Sequence, residues 1–102
     1  MIEKVSDITS LEIANYIRLG DDYDENELDT YLNVAKNYIS HYTSIPIEGE
    51  GEETLDTYPD FIIVVYILCQ DMYDNRTMYV DESNINKVVQ TILDMHTRNN
   101  LC

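Results

Sequence analysis

Apolar positions along the chain fall into four groups separated by polar segments, and their spacing predicts four helices. The densest group is Phe61-Ile62-Ile63-Val64-Val65-Tyr66-Ile67-Leu68-Cys69, which continues to Arg76. Its Ile and Val content would suit a buried strand. Pro59 and Asp60, however, sit where a first helical turn begins. Beyond Cys69 the apolar residues thin to helical spacing, at Met72 and Tyr73. On a helix, Phe61, Ile62, Val65, Tyr66, Leu68, Cys69, Met72 and Tyr73 share one side. The opposite side opens with Ile63, Val64 and Ile67 and then turns polar with Gln70, Asp71 and Asp74. A helix apolar on two sides needs cover on two sides. In so short a chain another subunit is a natural source of the second cover.

The other three groups are amphipathic. Thr9-Ser10-Leu11-Glu12 reads as a capping box, with Thr9 as N-cap and Glu12 returning to its backbone N–H. The helix it opens carries Leu11, Ile13, Ala14 and Ile17, and Gly20 is placed to stop it in a left-handed conformation. A second helix is expected from about Glu25 to Tyr42, with Leu28, Tyr31, Leu32, Ala35, Tyr38, Ile39 and Tyr42 in one stripe. Asp24 is its expected cap, with Glu27 three residues on. Pro46 ends it, because a residue before proline disfavours the helical conformation. A last helix is expected from about Asn84 to Arg98, capped by Asp81 or Ser83. Its apolar side holds Ile85, Val88, Val89, Ile92, Leu93, Met95 and His96. Residues 47–58, with Gly49 and Gly51 among acidic residues, read as a loop in preference to a short hairpin. The fold class is therefore all-α: a small four-helix domain with an acidic loop or short hairpin between helices 2 and 3. Residues 1–102 form one domain.

Charge changes the functional picture. Twenty acidic residues oppose six basic ones, a formal net charge of -14. Such a surface repels phosphate, which argues against a basic, sequence-reading nucleic-acid binder. Two cysteines, Cys69 within the apolar run and Cys102 at the last position, make no disulfide framework and fit a reducing compartment. Met1-Ile2-Glu3-Lys4 has no signal-peptide pattern, and the apolar run is too short to span a bilayer. The expectation is a soluble, non-secreted protein without a membrane role.

Candidate chemistry is sparse. Asp22, Asp24 and Asn26 resemble the opening of a calcium loop, but Glu27 stands where the turn needs Gly and Asn33 where a bidentate Glu is required. Helix capping explains these residues better. No nucleophile–base set, zinc motif or phosphate-binding loop is present. His96 reads as a partly buried residue near a helix C-terminus, where a positive ring is welcome. The chain is expected to be an interaction module with no cofactor, not an enzyme.

Three strings carry a family resemblance. They are Asn15-Tyr16-Ile17-Arg18-Leu19, followed by an acidic run and Glu27-Leu28; Ala35-Lys36-Asn37-Tyr38-Ile39-Ser40-His41-Tyr42-Thr43, followed by Ile45-Pro46; and Met72-Tyr73-Asp74-Asn75-Arg76. In this order and spacing, over roughly residues 5 to 98, the chain resembles the head–tail connector (DNA-packaging, head-completion) proteins of long-tailed phages and prophages. It departs from that pattern in its short, very acidic 47–58 connection and in Glu82-Ser83-Asn84, where a Pro/Gly-containing turn is expected. The resemblance implies a helical subunit of a homo-oligomeric ring. The ring docks under the portal protein after packaging, meets a tail-completion or stopper protein, and forms part of the DNA passage. It implies a place in the virion, after assembly in the host cytoplasm. Ile63, Val64, Ile67, Tyr73 and Arg76 are the candidate contacts between subunits, with Arg76 expected to pair with a carboxylate within the subunit or across the ring. Asp21, Asp22, Asp24, Glu48, Glu50, Glu52 and Glu53 are candidates to line the channel, where acidic walls let DNA slide without binding. Two rivals use the same sequence. An acidic DNA mimic would inhibit a basic host protein, and a small helical enzyme subunit would need a polar pocket that no motif supplies.

Overall fold

The computed structural model describes residues 4–20, 22–47, 49, 53–77, 79–80 and 85–97. Four α-helices make up the fold: α1 (Ser10–Ile17), α2 (Glu25–Thr43), α3 (Asp60–Asn75) and α4 (Lys87–His96). No strand occurs among the described residues, so the small all-α domain is as the sequence predicts. Among the described residues, short 3-10 turns at Val5–Asp7 and Leu55–Thr57 accompany them. They lie against each other, and the Ser6 backbone N–H donates to Asp56 Oδ1 at 2.8 Å. The described part of the 47–58 connection is thus a loop with one 3-10 turn. It is tied back by a bond from Leu55 N–H to the Pro46 carbonyl at 3.1 Å.

α2 and α3 form the central pair, and α1 and α4 each pack on both. The stripe expected on α2 is the one it buries. Leu28, Tyr31, Leu32, Ala35 and Ile39 are buried, while Tyr38 and Tyr42 pack against the core at its edge. From α3 come Phe61, Val64, Val65, Leu68, Cys69 and Met72; α1 adds Ile13 and Ala14, and α4 adds Val89 and Leu93.

Helix ends depart from expectation more than helix bodies. α1 stops at Arg18, not at Gly20. Arg18 takes the left-handed conformation (φ 69°), and the Leu19 N–H reaches back to the Ala14 carbonyl at 2.9 Å. Gly20 is left-handed too (φ 70°), two residues past the cap. Such reach-back bonds satisfy carbonyls that a helix end would otherwise leave unpaired. α2 closes the same way at Ser44 (φ 64°) and α3 at Arg76 (φ 53°), so three helices end on a left-handed residue other than glycine. α4 is shorter than expected, and its cap is Asn86, whose side chain accepts from the Val88 N–H at 2.7 Å. Asp81 and Ser83, the expected caps, lie outside the described residues.

Two expected core faces are narrower than the spacing suggested. Leu11 is 51 % exposed, and on α4 Val88 and Met95 are 52 % and 67 % exposed. Short helices lying across a pair touch it along one line only, so apolar residues off that line remain at the surface.

Candidate interaction surface

α3 meets its surroundings on nearly all sides. Phe61, Val64, Val65, Leu68, Cys69 and Met72 face the protein's own core. Val64 is fully buried, which corrects its expected place on the outer side with Ile63 and Ile67. Four helices therefore cover more of α3 than the sequence suggested. The positions of α3 that stay exposed are Asp60, Ile63, Asp71, Asp74 and Asn75, with Ile67 between them on the side of Ile63. Ile63 is 38 % exposed, Ile67 is half-buried, and the three aspartates are exposed. Beside these positions Tyr66 stacks on Tyr16 of α1, with ring centroids 4.9 Å apart and planes 16° apart. Burial is the main cause of the raised pKa of Tyr66, with the charge of Glu12 adding to it. Burial likewise raises Asp71, helped by the neighbouring charge of Asp74.

Tyr73 and Arg76 lie at the other end of α3, in a cluster shared with α2. Arg76 Nη1 donates to Glu27 Oε2 at 2.7 Å, and the Tyr31 hydroxyl donates to the same oxygen at 2.6 Å. The guanidinium carbon sits 4.3 Å from the Tyr73 ring centroid, a cation–π contact. The carboxylate expected for Arg76 is therefore found within its own chain. Glu27 serves this cluster, while Asp24 alone caps α2, accepting from the N–H groups of Asn26 (3.0 Å) and Glu27 (3.3 Å). A Glu and a Tyr four apart on one helix face, Glu27 and Tyr31, are the sequence signal for half of this cluster. The third partner lies far along the chain and leaves no such trace.

The acidic candidates are only partly placed. Asp22, Asp24 and Glu53 are exposed. Asp21, Glu48, Glu50 and Glu52 lie outside the described residues. Asp24 spends one carboxylate oxygen on its helix cap. Among the described residues no group of three or more His, Cys, Asp or Glu side chains could hold a metal ion. None of the described helices is long and apolar enough to cross a membrane.

His96 sits at the C-terminal end of α4 against the first turn of α3. Its Nε2 meets Asp60 Oδ2 at 3.1 Å, and its ring lies 4.4 Å from Tyr58 and 5.1 Å from Phe61, centroid to centroid. This contact pins α4 to α3 across 36 positions. Sequence spacing placed His96 correctly at a helix end, but neither Asp60 nor the rings beside it could be assigned from sequence.

A second apolar surface lies on the outer side of α2. There Val34, Asn37, Tyr38, Ser40 and His41, with Tyr79 and Val80 from the connection after α3, line an open groove of about 580 Å³. No carboxylate is among these lining residues. No pattern in the sequence marks this groove, because Tyr38 looks like a core residue and Tyr79 like part of a loop.

Comparison with protein-family models, with curated proteins and with solved structures found no match. The three strings behind the family resemblance have one structural feature in common. Each falls at the C-terminal end of a helix and runs up to or across a left-handed cap: Arg18 in the first, Ser44 just after Thr43 in the second, and Arg76 in the third.

Proposed function

We propose that this chain is a structural subunit of a ring-shaped phage head–tail connector. The ring docks on the portal after DNA packaging, contacts a tail-completion or stopper protein, and forms part of the DNA passage to the tail. The observation that carries the reading is the apolar surface that α3 leaves open. A 102-residue helical domain that fills its own core still leaves Ile63 of α3 exposed at the surface, with Ile67 half-buried beside it. A ring subunit needs such a surface for its neighbour. The net charge of -14 supports the same reading, since a conduit that repels phosphate does not trap the duplex. The order and spacing of the three helix-end strings supply the family.

In this reading the acidic residues of the 21–29 or the 48–60 segment face the channel. Neutralising the lumenal segment slows or stalls DNA passage and leaves the ring intact. Unchanged ejection from such particles rejects the channel assignment. The whole reading is tested by mixing the purified chain with portal rings and viewing the mixture by electron microscopy. A ring of density under the portal is the expected result. A chain that ignores portal rings but binds a basic host protein tightly, and lets go in salt, would instead be a DNA mimic.

A further inference from the structure

The C-terminal half of α3, with Tyr79 and Val80 of the connection after it and Ile85 before α4, lines a cavity of about 120 Å³. Leu68 and Met72 are buried and line its inner end, and the half-buried Val80 and Ile85 extend the apolar wall. Asp71, Asn75 and Tyr79 are exposed and line its mouth. The space is somewhat smaller than the ~150 Å³ cavity that admits benzene. It suits a short alkyl stem whose polar end stays at the mouth.

The chemistry of the mouth decides what that polar end is. Burial raises the pKa of Asp71, the charge of Asp74 adds to it, and no described cation offsets them. The two ion pairs among the described residues, Arg76–Glu27 and His96–Asp60, leave Asp71 out. The Asn75 side-chain NH₂ donates to the Asp71 backbone carbonyl at 2.9 Å, which leaves its Oδ1 as an acceptor. The mouth also lies toward the C-terminal end of α3, where the helix dipole favours positive charge. The last turn of α3 has no basic residue, and Arg76 beyond it is held by Glu27. A carboxylate, an amide oxygen and a phenol hydroxyl match the three donors of an ammonium group. The five donors of a guanidinium fork would leave more of themselves unmet. We propose that this cavity binds a primary alkylammonium group, with its methylenes against Leu68, Met72 and Ile85 and its charge at Asp71. A lysine side chain of a partner protein and a free polyamine share that chemistry. Such a site stands whether or not the chain is a connector subunit.

The probe is n-butylammonium, with n-butanol as its uncharged match. Backbone amide NMR of the full chain is recorded at about 0.15 M salt, where the screening length is about 8 Å and loose counterions on the acidic surface contribute little. Saturable shifts at Leu68, Asp71, Met72 and Ile85 are expected with butylammonium, and at least about ten-fold weaker binding with butanol. Asp71→Asn keeps the side-chain shape and is expected to lose about ten-fold or more in affinity. Asp7→Asn removes an equal charge from the exposed end of the first 3-10 turn and is expected to bind as the wild type does. Circular dichroism shows that both variants keep the wild-type helix content. In the wild type, bound butylammonium is also expected to bring the Asp71 carboxyl titration back down, because a neighbouring cation favours the ionised form. Spermidine and a capped lysine peptide are then compared, and the tighter ligand names the source of the ammonium group. The absence of saturable shifts, shifts spread over the whole acidic surface, or Asp71→Asn binding as tightly as wild type overturns the site.

Discussion

Arg76 and Glu27 stand 49 positions apart in the chain, and their side chains meet at 2.7 Å, with the Tyr31 hydroxyl on the same carboxylate oxygen. The pair joins the residue that caps one central helix to the first turn of the other. Arg76 is largely exposed, so the ion pair itself is screened. Tyr31 is the buried member, and there the energy is easier to read. Tyr31→Phe removes a hydrogen bond to a charged acceptor and is expected to cost about 1–2 kcal/mol. Chemical denaturation should show a lower midpoint at unchanged slope. Burial and the Glu27 contact push the Tyr31 hydroxyl up to about 12. Its contribution to stability is therefore whole below pH 10 and is lost as pH rises from 10 toward 12. An ultraviolet titration of the nine tyrosines should show Tyr31 and Tyr66 among the late groups, with the one near 12 absent in Tyr31→Phe.

Ser44 ends α2 at φ 64° and is exposed. A side chain with a Cβ is strained there by about 1 kcal/mol, and glycine is not. Ser44→Gly is expected to raise stability by about 0.5–1 kcal/mol, or several degrees in the thermal midpoint for a domain of this size. Arg76 is left-handed as well, but its guanidinium is held by Glu27 and Tyr73, so Arg76→Gly gains at the backbone and loses at the side chain. Melting curves of the two glycine variants should differ, with only Ser44→Gly clearly above wild type.

Helix bodies were legible because burial follows period. The α2 stripe came from spacing, the start of α3 from Pro59 and Asp60, and the Thr9–Glu12 box from its residue types. Helix ends were not legible where the chain ignores the usual signal. Gly20 marked the wrong residue because Arg18 accepts the left-handed conformation two positions earlier. Asn86 caps α4 although acidic and serine candidates precede it. Val64 was misplaced because spacing shows which residues share a helix side but not how far around the helix its neighbours reach. The Arg76–Glu27 and His96–Asp60 contacts join residues far apart in the chain, and no local pattern encodes such pairs.

Cys69 lies fully inside the core, and burial pushes its thiol up to about 12. The thiolate is the reactive species, so the folded protein should resist alkylation at neutral pH. In a Cys102→Ser background Cys69 is the single thiol. Its labelling by a thiol reagent is expected only after denaturant is added, at a rate set by opening of the fold. Rapid labelling without denaturant would show that the α2–α3 pair opens readily.

Glu12 holds the entry to α1. Its Oε1 accepts from the Thr9 backbone N–H at 3.0 Å and from the Thr9 hydroxyl. These bonds, the hydroxyl's first, favour the ionised form and lower its pKa from 4.5. A carboxylate lowered in the folded state stabilises fully above its unfolded pKa, and that contribution is lost as pH falls through the folded value. Glu12→Gln keeps the shape and removes the charge. The gap in stability between wild type and Glu12→Gln is therefore expected to be constant from neutral pH down to about pH 5 and to shrink below the ordinary glutamate range. Urea denaturation of both proteins at a series of pH values measures that gap. A gap that persists unchanged at pH 2 would mean that the geometry of the box, and not the charge of Glu12, holds the first turn of α1.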